Sequence, residues 1–232
     1  MLCLSERLSQ KLLRNLWVPK PSLSLSIPFH LFLQFTESVE HLSNALAGLV
    51  RSELKPSKIT VVFKSDQNFC AGDLIKQFPE LSLEFHNTDR CSLGDFYELV
   101  FSSQDELLGF TSGNRIVGRS CWRVLIEDLI NGSSSAYASQ KYLWKQARMS
   151  SMDKWLRLHS APRDFLLHNN NMNGGSADYP TFVMTKENFS DYRGIEFPAT
   201  DFDQFIAQLF GLELKLKPAS SVQAGLEFVQ IL

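Results

Sequence analysis

The sequence predicts an α/β fold: a mostly parallel central sheet flanked by helices. Three observations carry that expectation. Short apolar runs alternate with stretches of helical periodicity through the first half of the chain, the pattern of successive βαβ units. The runs around Phe29 to Gln34 and Ile59 to Phe63 are apolar at nearly every position, as strands covered on both faces are. At 232 residues, with 44% hydrophobic and 21% charged residues, the chain fits one large domain of ordinary globular composition.

Taken in order, residues 1–20 read as an amphipathic helix. Leu4, Leu8, Leu12 and Leu16 recur every four residues beside Leu13 and Trp17, opposite a cationic face. Such a helix packs on its own domain or on a second copy, so residues 4–17 are a candidate homo-oligomer contact. Pro19 and Pro21 end it, and the main domain spans 21–232. Phe29 to Gln34 is the first core strand, with Pro28 confining the preceding residues to an edge. Thr36 to Leu54 is a helix with Thr36 and Ser38 as cap candidates and Val39, Leu42, Leu46, Leu49 and Val50 on one face. Ile59 to Phe63 is the second strand, reached by a right-handed crossover.

A short helix over Asp73 to Phe78 and a third strand over Leu81 to Phe85 follow. Then come a helix over Gly94 to Ser102, a fourth strand over Glu106 to Thr111 and a helix over Ser120 to Ile130. Asn131 to Ser135 is a polar loop. Tyr137 to His159 is helix-prone, with Trp144 and Trp155 as core candidates, and His168 to Ser176 has the most flexible composition. The last third places a strand at Thr181 to Met184 ahead of an acidic pair (Asp201, Asp203), an amphipathic helix, and a closing strand that ends at Pro218.

Composition narrows the function classes. A net charge of −2 gives no long-range attraction to nucleic acid. Cys3, Cys70, Cys91 and Cys121 are far apart and form no metal-ligand spacing, which fits reduced thiols in a cytoplasmic protein. No run approaches the ~18 apolar residues of a bilayer span. Charged residues interrupt the first 17 positions, so no secretory leader is expected there.

Ligands of open α/β sheets sit beyond the carboxyl ends of the strands. Thr36 and Glu37 follow the first strand and serve equally as a helix cap. Lys64, Ser65 and Asp66 follow the second, where a carboxylate such as Asp66 can accept from a nucleobase N–H or be a solvated turn residue. After the fourth strand the chain reads Gly109, Phe110, Thr111, Ser112, Gly113, Asn114, Arg115. Asp201 is both a helix N-cap and a candidate general base, with Asp203 in the first helical turn.

The run Thr181 to Ser221 resembles the second half of a family-2 glycosyltransferase of the GT-A fold. Its residues are the strand, Lys186-Glu187-Asn188, the turn Tyr192-Arg193-Gly194, the Asp201/Asp203 pair and the closing helix and strand. In element order the likeness extends over residues 23–221. It implies a single Rossmann-like domain, with a nucleotide-binding half over about 21–130 and an acceptor side over about 131–232. It implies a nucleotide-sugar donor, an unknown acceptor, and Asp201 as the catalytic base. Thr36, Asp66, Asn114, Arg115 and Asp203 would be the substrate-binding residues.

The family's divalent cation, Mn or Mg, is held by an Asp-x-Asp triplet after the fourth strand, and this chain has no carboxylate in that run. Thr200 also stands where the family places a Glu. Three explanations remain open: lost catalysis, metal-free binding through Arg115, Arg119 and backbone N–H groups, or a site that uses Asp105 and Glu106 instead. The alternative function is therefore a catalytically inactive GT-A-like binding or scaffold protein. A nucleotidyl-transferring enzyme would want a glycine-rich loop after the first strand, and Gln34 to Glu37 contains no glycine.

Overall fold

The computed structural model describes residues 27–35, 38–64, 70–89, 91–131, 135–137, 140–145, 181–192, 201–212, 217–218 and 226–231. The N-terminal amphipathic helix, with its expected self-association surface, lies outside them, as do Trp155 and the 168–176 segment.

The first half follows the sequence pattern closely. β1 (His30–Gln34) is buried along its whole length. α1 (Val39–Val50) begins where the Ser38 side chain accepts from the His41 N–H at 3.3 Å, satisfying one of the donors a helix start leaves open. β2 (Lys58–Phe63), α2 (Ala71–Gln77) and β3 (Leu83–Asn87) follow. α3 (Leu93–Phe101) starts on a reciprocal capping box between Ser92 and Asp95. β4 (Leu107–Ser112) turns through Gly113 and Asn114 into β5 (Arg115–Val117), and α4 (Cys121–Ile130) comes next. The remaining elements are β6 (Ser135–Tyr137), β7 (Gln140–Lys145), β8 (Phe182–Thr185), α5 (Lys186–Ser190), α6 (Phe202–Leu212), β9 (Lys217–Pro218) and β10 (Leu226–Ile231).

Among the described residues the main sheet has the order β3-β2-β1-β4-β8-β6-β9. β1 is parallel to β2 and β4, and β2 is parallel to β3. β8 enters antiparallel to both β4 and β6. A second sheet, β5-β10-β7, is assembled from three distant parts of the chain. The fold is therefore the expected α/β architecture with a mostly parallel sheet. Two expectations fail. Residues 137 and 140–145 are strand rather than helix, because β7 pairs along its whole length with β10; ladder pairing overrides a local helical preference. β5 and β10 themselves were not anticipated.

Alternation along the strands feeds two separate cores. Leu31, Leu33, Ile59 and Val61 face α1 and α4, meeting Leu42, Leu46, Leu49, Trp122 and Leu125. Phe32, Val62, Leu108, Phe110 and Met184 face the opposite way, meeting Phe96 of α3 and Phe202, Phe205 and Ile206 of α6. The second core is largely aromatic. Phe96 meets Phe202 edge-on at 5.6 Å between centroids, and Tyr97 meets Phe205 the same way at 5.1 Å, an arrangement favoured by the ring quadrupoles. This aromatic layer fixes α6, and with it the position of Asp201.

Candidate functional site

The carboxyl ends of β1, β2 and β4 share one edge of the sheet because the three strands are parallel. On the α3/α6 face the apolar row Phe32, Val62 and Phe110 gives way there to polar side chains. Two residues beyond each, by strand alternation, come Gln34, Lys64 and Ser112. α6 brings Asp201 to the same place.

Asp201 uses both carboxylate oxygens. Oδ1 accepts from the Gln204 N–H at 2.9 Å, which makes Asp201 the N-cap of α6. Oδ2 lies 3.3 Å from Lys64 Nζ. The side chains are 21% and 40% exposed, so the ion pair is open to solvent and to ligands. Lys64, at the end of β2, and the carboxylate at position 201 thus meet on one edge.

The turn after β4 is built for close approach. Gly113 N–H donates to Gln34 O at 2.7 Å. A Cβ at position 113 would meet that same oxygen at 3.0 Å and Phe35 Cα at 3.6 Å. Glycine is needed there because the turn rests on the end of β1. Asn114 Oδ1 and Gln34 Oε1 are buried and have no hydrogen-bond partner among the described residues. A hydroxyl, a glycine and a carboxamide are a poor donor set for a hard divalent cation, which favours carboxylates. Among the described residues no group of three His, Cys, Asp or Glu side chains could hold a metal ion. The run after β4 does not fit the family's cation.

Other anticipated residues fall elsewhere. Thr36 and Asp66 lie outside the described residues, as does the side chain of Asp203 within α6. Arg115 opens β5, 3% exposed, with Val229 of β10 opposite it. Arg119 is removed from the edge. Its carbonyl accepts from Glu53 N–H at 2.9 Å and its Nε lies 3.8 Å from Glu53 Oε1, in the connection that leads into the amino end of β2. Asp105 also belongs to the amino-terminal edge, where the Ser57 hydroxyl donates to its carboxylate and Ser57 N–H to Phe29 O. The site therefore cannot be rebuilt from Asp105 and Glu106. Lys186 reaches that edge too, donating from Nζ to Ser103 O at 2.6 Å and from its N–H to Glu106 O at 2.8 Å. β8 runs antiparallel, so its carboxyl end points away from Asp201.

His86 Nε2 lies 3.9 Å from Cys91 Sγ. Burial, then Asp95 and Asp89, push the thiol above its ordinary value, which disfavours the nucleophilic thiolate. Lys64, Gln34 and Ser112 were not named as site residues. The signal for them was parity: each continues a core-facing row by one polar step.

No known family profile matches the sequence, and no curated protein matches it. Solved structures do share its fold. TarS from S. aureus (residues 1–349) superposes with a TM-score of 0.54 at 11% identity, covering 88% of this chain and 60% of that one. The same protein in complex with UDP-GlcNAc gives 0.54 at 11% identity, covering 89% and 59%. The mannosyltransferase PcManGT from Pyrobaculum calidifontis, in complex with GDP-Man and Mn2+, gives 0.53 at 11% identity, covering 98% and 64%. The chain thus spans less than two thirds of the length of each. At this identity the likeness is one of fold: a Rossmann-like α/β domain of GT-A type. Among the described residues no helix is long and apolar enough to cross a membrane.

Proposed function

We propose that this protein is a nucleotide-sugar-dependent glycosyltransferase with Asp201 as its base. The observation that carries the reading is the meeting of Lys64 and Asp201 at 3.3 Å on the carboxyl edge of a parallel sheet, where α/β folds bind their ligands. The donor nucleotide lies along the ends of β1 and β2, with Thr36 and Asp66 recognising base and ribose and Asn114 beside the diphosphate. The nucleotide-binding half is about 21–130, and 131–232 supplies the acceptor side, including Asp203.

In the transfer step the acceptor oxygen bonds to the anomeric carbon. The bond from that carbon to the diphosphate oxygen breaks, and its electron pair leaves with the diphosphate. Asp201 Oδ2 takes the acceptor's hydroxyl proton. The 137-residue separation of Lys64 and Asp201 means that the site exists only in the folded domain.

The second reading is a GT-A-like binding or scaffold protein without turnover. The Ser112-Gly113-Asn114 turn favours it, since the family's carboxylates are missing and a Cβ at position 113 would press on Gln34 O at 3.0 Å. Melting temperature in the presence of UDP or GDP, with and without manganese, separates the two. A ligand at 100 times its dissociation constant adds about 2.7 kcal/mol of stability. The absence of any shift leaves the scaffold reading ahead.

A further inference from the structure

We infer that Lys64 is the cation that receives the donor's diphosphate, so that donor binding needs no divalent metal. The inference rests on the glycosyltransferase reading and names the group that neutralises the donor within that site.

The geometry narrows the choice. Gly113 has its missing Cβ 3.0 Å from Gln34 O, so a metal-binding carboxylate at that position would have to displace backbone. Arg119 is held by Glu53 beside the amino end of β2. Arg115 is 3% exposed within β5. Among the described residues, Lys64 is left as the cationic side chain that reaches the carboxyl edge from the α3/α6 face.

Two features suit an incoming anion. The Lys64–Asp201 pair is partly exposed, and such pairs are weak. A diphosphate presents several anionic oxygens to the ammonium, where Asp201 presents one carboxylate oxygen at 3.3 Å. Gln34 shares this face one row below Lys64, since Val62 is its register partner. Gln34 is 6% exposed, and its Oε1 has no partner among the described residues. A buried acceptor in that state is a place for a ligand hydroxyl or N–H.

Movement of Lys64 onto the diphosphate has a second effect. It releases Asp201 Oδ2, while Oδ1 stays on the Gln204 N–H. The base is presented once the donor is in place.

The test is calorimetric titration of the whole chain with UDP, GDP, CDP, ADP and dTDP, first in EDTA and then in manganese. Wild type is expected to bind one of them in EDTA. Lys64→Gln is expected to weaken that binding about tenfold or more, the scale of a hydrogen bond to a charged group. Lys64→Arg is expected to restore most of the loss, which a merely misfolded variant would not allow. A dissociation constant unchanged in Lys64→Gln overturns the inference, as does binding that needs manganese; either leaves the glycosyltransferase reading standing. Failure of every nucleotide in both conditions removes that reading and this inference together.

Discussion

Lys64 and Asp201 hold each other at 3.3 Å across 137 residues of sequence. Neither element end is free to wander. Lys64 leaves the buried strand β2, and Asp201 starts a helix whose next residue, Phe202, is 1% exposed and lies 6.4 Å from Phe32 of β1 between ring centroids. The carboxylate is therefore positioned by the aromatic core beneath it, and the cap bond to Gln204 sets its rotation.

Asp201→Asn separates chemistry from structure. Asparagine caps helices about as well as aspartate, so Gln204 N–H keeps its acceptor. The lost ion pair is worth about 0–1 kcal/mol at this exposure. Nucleotide binding and melting temperature should stay close to wild type, while sugar transfer should fall by about 10²-fold or more. Transfer at the wild-type rate removes Asp201 as the base. Asp201→Ala should cost about 1 kcal/mol more in stability than Asp201→Asn, through the cap alone.

Restoring a carboxylate after β4 should fail at one position and succeed at the next. Gly113→Asp drives a Cβ against Gln34 O and Phe35 Cα, so overpacking should cost about 1–3 kcal/mol. Asn114→Asp keeps the side-chain volume and should be better tolerated. Urea midpoints of the two variants check this; equal stability would mean that the turn can move off β1.

The aromatic layer is the next test. Phe202 is fully buried between Phe32, Phe96 and Phe205. Phe202→Ala should cost about 3–5 kcal/mol as a large-to-small core change. It should also weaken nucleotide binding in the fraction that stays folded, because Asp201 precedes it directly. A variant that loses stability yet keeps wild-type affinity would show that Asp201 is held by its cap rather than by the core.

The parallel half of the fold was legible because its strands are continuously apolar and its helices carry one apolar face. β1, α1 and β2 fall within a few residues of their expected limits. β7 was misread for a physical reason. Gln140 to Lys145 gains its strand state from β10, more than 80 residues away, and local propensity carries no trace of a distant partner. The site was legible in part. Asp201 stood out as an acid before an amphipathic helix, and the Lys64 loop as the end of a strand. Arg119 was misplaced because sequence order put it just after the turn. β5 then carries the chain back along α1, where Gly48 packs on Ile116, and delivers Arg119 to Glu53.

Acid should destabilise the protein through His30. This residue is 2% exposed and stacks on Phe32 with 4.2 Å between ring centroids. Its Nε2 pairs with Thr60 Oγ1 at 2.8 Å, and its Nδ1 is buried with no partner among the described residues. Burial first, and then the nearby Lys58 ammonium, lower its pKa from 6.5 to about 4, against smaller opposing effects of Asp105 and Glu84. Between those values the unfolded chain takes up a proton that the folded protein refuses. The stabilisation is thus fully present above pH 6.5 and is lost as pH falls toward 4. The pKa difference corresponds to roughly 3 kcal/mol. His30→Gln can still bond to Thr60 but cannot titrate. Between pH 7 and pH 4.5 the wild type should lose about 2 kcal/mol more stability than this variant, read from urea midpoints and slopes. Equal losses in the two proteins would show that His30 is charged, or free to charge, in the folded state.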